Sequence, residues 1–217
     1  TKEILFKKEG TPKYFNSIAL RGNIQNFENS DISLYLGSNF HFVIYPINQN
    51  NEFNFISIVR KKLVGSEITN RSLFKDKIFI NNLMSQISSK SDLNLSELVN
   101  EIKCFPIFVS KKIKIPNNKN IFLMGDAFFS FPPSFAQGAS QSIESANDLF
   151  NDLNNNLSNY YKKRVLKTKQ INYRSSINHH AFHIANPINV FFRNIFLKYL
   201  SKNKSFLENY LGKIYKN

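Results

Sequence analysis

The chain has 217 residues, 42% of them hydrophobic, enough to bury a core and too apolar for an intrinsically disordered polypeptide. Its formal charge is +14, yet the basic residues fall in scattered short groups, among them Arg60-Lys61-Lys62 and Lys162-Lys163-Arg164. No zinc-finger spacing, glycine-flanked aromatic RNA-binding signature or basic zipper helix accompanies them, so they read as solvated faces and not as a nucleic-acid surface. Cys104 stands alone, which excludes an intramolecular disulfide framework and a thiolate metal cluster and fits a reducing, cytoplasmic setting.

The first 65 residues read as β-rich. Ser17 to Ile24 is an apolar-leaning run closed by Gly22 and Asn23, Phe40 to Pro46 is a strand stopped by its proline, and Phe53 to Val59 alternates. Asn48 to Glu52 joins the last two as a polar hairpin loop, which predicts an antiparallel sheet with one face covered. Arg71 to Ile102 reads as helical with a break near Ser88 to Asp92, and Asp92 or Asn94 as the cap of a second piece, Leu95 to Ile102. A strand follows at Cys104 to Ser110, then a short buried-type strand at Asn120 to Met124. From Gln137 the pattern is helical: Ile143, Ala146, Leu149, Phe150 and Leu153 recur at helical spacing, a long polar-basic helix covers Leu157 to Ile184, Pro187 starts another, and a last one ends near Ile214. Asn154-Asn155-Asn156 marks a break. The fold class is α+β.

Chemistry concentrates in Ile121 to Leu149. A short apolar strand ends in Gly125-Asp126, which places a carboxylate where α/β folds bind ligands. A proline-punctuated loop, Phe128 to Phe135, leads to Ala136-Gln137-Gly138-Ala139-Ser140, small residues that open a helix and leave its first N–H groups accessible to an electron-rich ligand atom.

With Gly125-Asp126-Ala127, Pro133, Ala136-Gln137-Gly138 and Ile143-Glu144 in register, this stretch resembles the second FAD-binding motif of class A flavoprotein monooxygenases. Tyr14 to Gly22, His41 to Pro46 with Asn54, and the helices around Tyr161–Arg164, Asn178–His183 and Pro187–Arg193 are similar to further segments of that family. The resemblance implies that Asp126 binds the ribityl chain of FAD. It also implies that Gln137, Gly138, Ala139 and Ser140 face the flavin pyrimidine end, and that Pro133 frames both ring and substrate. It implies NADH or NADPH as reductant and hydroxylation of an aromatic or similarly electron-rich small molecule with O2. Two positions depart from the pattern: Phe129 where the family has His, and Ser145 where it has Asp.

The family's Gly-x-Gly-x-x-Gly turn and its later Asp-Gly motif are absent, and Thr1 to Ile4 falls just past the latter. The expectation is therefore that the family's N-terminal FAD-binding half is a missing partner, that Ile121 to Met124 belongs to that half's Rossmann-like parallel sheet, and that these residues alone are inactive. The organisation expected is a substrate-domain sheet with helices over 1–118, the FAD motif over 119–156 and C-terminal helices over 157–217.

His41 and Tyr45 share a strand face, where either can hydrogen-bond or deprotonate a phenol. Arg21 reads as a salt-bridge residue. His179 and His183 stand at i,i+4 without the following Glu of a zinc-protease helix, which favours packing over a metal. Two rival readings differ in class. One is a same-fold flavin reductase or halogenase acting on an isoprenoid or quinone precursor, with the basic, Phe-rich helix Asn189 to Leu200 resting on a membrane surface. The other is a non-catalytic basic protein holding anionic partners.

Overall fold

The computed structural model describes residues 2–6, 10–25, 27, 31–48, 51–91, 93–118, 120–153 and 157–212. They divide into two compact units, one of Tyr14–Ile107 with His180–Pro187, the other of Thr1–Lys13, Phe108–His179 and Ile188–Asn217. The fold is α+β.

The first unit is a five-stranded sheet in the order β2-β3-β4-β1-β5, formed by β1 (Lys13–Gln25), β2 (Ser33–Gly37), β3 (Phe40–Pro46), β4 (Glu52–Arg60) and β5 (Val99–Val109). The β1–β4, β2–β3 and β3–β4 pairs are antiparallel, and their register places alternate residues on one face. Ile18, Leu20 and Ile24, Phe40, Phe42 and Ile44, and Phe53, Phe55 and Val59 make that face the core. Leu83, Met84 and Ile87 of α2 (Lys77–Ser88) belong to the same cluster. Asp76 caps α2, its carboxylate accepting from the Ile78 N–H at 2.8 Å.

Several boundaries differ from expectation. Gly22 does not close β1, which runs on to Gln25; a Cβ at Gly22 would lie 2.4 Å from Val99 Cγ1, so the glycine admits β5. β2, hidden in a short mixed segment, pairs with β3. The piece after the break is helical only over α3 (Leu95–Leu98); from Val99 the chain joins the sheet, whose pairing outweighs local helix preference. Asn94 occupies the cap position without a side-chain cap bond, and Asp92 lies outside the described residues. Residues ahead of α2 form 3-10 turns at Gly65–Thr69 and Leu73–Lys75.

The second unit holds α1 (Lys2–Phe6), α4 (Gly125–Phe128), α5 (Gly138–Asp152), most of α6 (Leu157–Phe182), α7 (Pro187–Leu200) and α8 (Lys204–Leu207). Ile214 and Asn154–Asn156 lie outside the described residues. Ile121–Met124 forms no hydrogen-bonded strand among the described residues. Its alternate carbonyls are taken by side chains instead: Tyr160 donates to Leu123 O at 2.8 Å and Tyr161 to Ile121 O at 3.3 Å.

α5 has its expected bounds to within a residue, but the Ile143–Phe150 stripe points outward. Ile143 is 73% and Phe150 75% exposed, while Gln141, Ser145 and Asp152 are buried. The inward polar face meets Arg164 of α6, whose guanidinium binds Gln141 Oε1 at 2.7 Å, Asp148 at 3.1 Å and Glu144 at 3.2 Å. Lys167 reaches Glu144 at 3.2 Å and Lys163 reaches Asp152 at 3.3 Å. A buried cation needs those acceptors, so the network fixes which face of α5 turns in. No helix among the described residues is long and apolar enough to cross a membrane.

Candidate functional site

In the helical unit the motif forms a turn locked at several points. Gly125 has φ +52, and a Cβ there would meet Ser142 Oγ at 2.4 Å, so both backbone and space require glycine. Its N–H donates to Ser145 Oγ at 3.1 Å, and the Ser145 hydroxyl donates to Ser142 O at 2.9 Å. Ser145, one of the two departures, thus ties the Gly-Asp turn to α5 as a buried hydroxyl. Phe129, the other, is buried with Phe128 and Leu123 and packs on Phe131 at 5.1 Å between ring centroids.

Asp126 sits in the first turn of α4, exposed, and its carboxylate makes no hydrogen bond or ion pair among the described residues. α4 packs against α5. The loop between them is held from behind: Ser110 N donates to Ser130 O at 2.9 Å, and Ser130 N to Ser110 Oγ at 3.1 Å. Ser134 Oγ lies 3.0 Å from His179 Nδ1, both residues buried, and Asn178 Nδ2 donates to Ser134 O at 3.3 Å. Phe135 packs on Ile171. Pro133 remains exposed on the outer side of this turn.

Ala136 follows in the left-handed region at φ +51, where its Cβ is strained and glycine or asparagine is the usual occupant. Gln137 is buried, and its carbonyl accepts Gln141 N at 2.9 Å, which starts α5. Gly138, Ala139 and Ser140 are exposed, and nothing lies within 4 Å of a Cβ built on Gly138. An anchored turn, an accessible carboxylate and an uncrowded helix N-terminus fit a ligand that carries hydroxyls and an electron-rich ring edge. These are the residues that the family resemblance assigns to a flavin.

In the sheet unit, His41 and Tyr45 share the face opposite the core, as alternation predicts. The register sets Tyr45 beside Asn54 and Asn54 beside Asn23, with Arg21 and Ile56 in the next row. Asn54 Nδ2 donates to the Tyr45 hydroxyl. Arg21 and Asn23 are exposed and Tyr45 half-buried. His41 is buried, its Nδ1 2.8 Å from His183 Nε2 and its ring edge-on to Phe182 at 5.2 Å. His183 thus pairs with His41 within the sheet unit, as His179 pairs with Ser134 within the helical one, and His180 is exposed. Among the described residues no group of three His, Cys, Asp or Glu is placed to hold a metal. Sequence reasoning missed the parts played by Ser134, Asn178, His183 and Asn23, all of which depend on contacts distant in sequence; the buried Arg164 carried the one visible signal, a basic residue within the polar spacing of α6.

No protein-family profile and no curated protein sequence matches the chain. Solved structures do. HpxO of Klebsiella pneumoniae complexed with FAD and uric acid superposes with TM-score 0.74 at 14% identity, over 94% of this chain and 55% of HpxO. A salicylate hydroxylase substrate complex matches with TM-score 0.65 at 14% identity, over 88% of this chain and 54% of its own. The tetracycline destructase Tet(51) matches with TM-score 0.59 at 12% identity, over 91% and 56%. The fold is that of the class A FAD-dependent monooxygenases, and the chain spans little more than half the length of these neighbours.

Proposed function

We propose that this chain carries the flavin-ring end of an FAD site together with the substrate face of a monooxygenase that hydroxylates an aromatic or similarly electron-rich small molecule, using O2 and NADH or NADPH. The observation that carries this reading is Asp126, an exposed carboxylate with no protein partner among the described residues, on a turn that Gly125, Ser142 and Ser145 hold in place. FAD, when bound, supplies the redox chemistry; the protein supplies binding, orientation and electrostatics.

Asp126 accepts hydrogen bonds from the ribityl hydroxyls, and the N–H groups at Gly138, Ala139 and Ser140 donate to the pyrimidine edge. Gln137, packed behind them, sets the helix start. Pro133 offers an apolar edge that excludes water without adding a donor. Tyr45 orients the substrate: its oxygen accepts from Asn54, which leaves the phenolic hydrogen to donate. His41 takes the substrate's phenolic proton, with His183 fixing its tautomer.

The partner is the family's N-terminal half, which brings the ADP site and covers the outward face of α5, where Ile143 and Phe150 stand exposed, and the unpaired segment Ile121–Met124. HpxO complexed with FAD and uric acid supports a small planar substrate by fold analogy. Flavin titration of the chain and its Asp126→Ala variant tests the reading; equal flavin affinity in the two removes it.

A further inference from the structure

α7 carries a surface that the flavin reading does not use. Ile188, Phe191, Phe192, Ile195, Phe196 and Tyr199 recur at intervals of three and four, which aligns them on one helix face. Ile195 is 52% exposed and the other five 61–66%. The half-buried residues Val190, Arg193, Leu197 and Leu200 mark the opposite face, so α7 turns its most apolar side outward.

The charge around this face has one sign. From Pro187 to Leu207 the chain contains Arg193, Lys198, Lys202 and Lys204 and no Asp or Glu. The three lysines are exposed at or just beyond the C-terminal end of the stripe. A second copy of the chain on the same face would bring these lysines near their own symmetry mates with no carboxylate in the segment to separate them. An anionic lipid surface complements both features: acyl chains receive the Phe and Ile side chains, and phosphate and carboxylate headgroups receive the lysines. At 14 residues, α7 is about 21 Å long, too short to span a bilayer and long enough to lie in its interface.

We propose that α7 is an interfacial membrane-docking helix that binds anionic phospholipid bilayers through Ile188, Phe191, Phe192, Ile195, Phe196 and Tyr199, with Lys198, Lys202 and Lys204 at the headgroups. Neither flavin nor substrate enters this inference, so it stands or falls apart from the proposed function.

The test is sedimentation of the full chain with vesicles of phosphatidylcholine alone and with about one-third phosphatidylserine. The anionic vesicles bind at least about tenfold more tightly, and each of Lys198→Gln and Lys202→Gln weakens that binding roughly fivefold. Phe192→Glu with Phe196→Glu removes it, while leaving the far-ultraviolet circular dichroism unchanged, because both side chains are mostly exposed. The chain has no Trp, so Phe192→Trp gives a single reporter whose emission shifts to the blue on insertion. Equal binding to both vesicle types, no binding, retained binding by the double Glu variant, or a dimer that this variant dissolves each overturns the proposal.

Discussion

Nδ1 of His41 and Nε2 of His183 lie 2.8 Å apart, with both rings buried, although 142 positions separate them in sequence. Two facing ring nitrogens at that distance hold one proton between them, so one imidazole donates and the other accepts. His183→Ala withdraws the partner from a buried polar atom and opens a cavity beside it. The expected loss of stability is about 1–3 kcal/mol, read as a lower urea midpoint. His183→Gln, which keeps a donor and an acceptor, recovers part of it. A His183→Ala midpoint equal to that of the parent contradicts a stabilising pair.

Arg164 is the second buried group whose partners define its worth. Its guanidinium side chain is 3% exposed and meets Glu144, Asp148 and Gln141. Arg164→Met keeps the aliphatic stem but leaves two carboxylates without their shared cation. Breaking a buried pair from one side costs about 3–5 kcal/mol, so this variant loses a large share of the roughly 5–15 kcal/mol that holds a small domain folded. Added salt restores little of the loss, because burial limits screening. Urea unfolding at low and high ionic strength checks both parts, and a loss below about 0.5 kcal/mol places the network with ordinary surface ion pairs.

Both networks show where sequence was legible and where it was not. β3 and β4 were readable because Phe40–Pro46 is an apolar, aromatic run stopped by its proline and Phe53–Val59 largely alternates, with a polar loop between them. The Gly125-Asp126 turn was readable as the end of a short apolar run, but the helix that Gly125 starts at φ +52 was not. Leu95–Ile102 misled because helix-compatible residues there answer to sheet pairing instead. α5 was readable as a helix but not in its orientation: its apolar stripe obeys the spacing of a core face, yet Arg164, distant in sequence, draws the polar side inward. His183 and Ser134 had no local signal, since their hydrogen bonds exist only once the chain has folded.

Alkaline pH destabilises this protein through groups that burial keeps protonated. Burial pushes the Cys104 thiol up to about 12 from an ordinary 9.0. Burial likewise raises the Tyr160 hydroxyl to about 12 from 10.0, against an opposing pull from Arg164. Each folded value lies above the unfolded one, so the unfolded chain releases its protons first. The stabilisation is full below the unfolded values and is lost as pH rises through 9–10 towards 12. Urea midpoints stay level up to about pH 8 and fall beyond it. Cys104→Ala flattens the first part of that decline, and thiol-reactive dye labels native Cys104 far more slowly than the urea-unfolded chain. Labelling at equal rates in both states removes burial as the cause.

The flavin reading makes a quantitative demand that distinguishes it from general affinity for nucleotides. In the proposed site Asp126 and Gly138–Ser140 face the ribityl chain and the ring, and the sequence holds no Gly-x-Gly-x-x-Gly turn for a pyrophosphate. FMN and FAD therefore bind this chain with similar, weak affinity, within about threefold of each other, which is less than 1 kcal/mol. ATP competes with neither. Asp126→Ala weakens both flavins by tenfold or more, because a charge-assisted hydrogen bond contributes about 1.5–3 kcal/mol. Ile143→Asp with Phe150→Asp changes little in this titration, since both side chains are exposed and stand beyond the first turn of α5. The same pair of substitutions abolishes association with a separately expressed N-terminal half of the family, the step that restores strong preference for FAD over FMN. Fluorescence quenching of the two flavins, with and without that half, reads every arm. FAD binding at least a hundredfold tighter than FMN by the chain alone would mean that an ADP site already exists within these residues, and the division of the cofactor between two halves would be wrong.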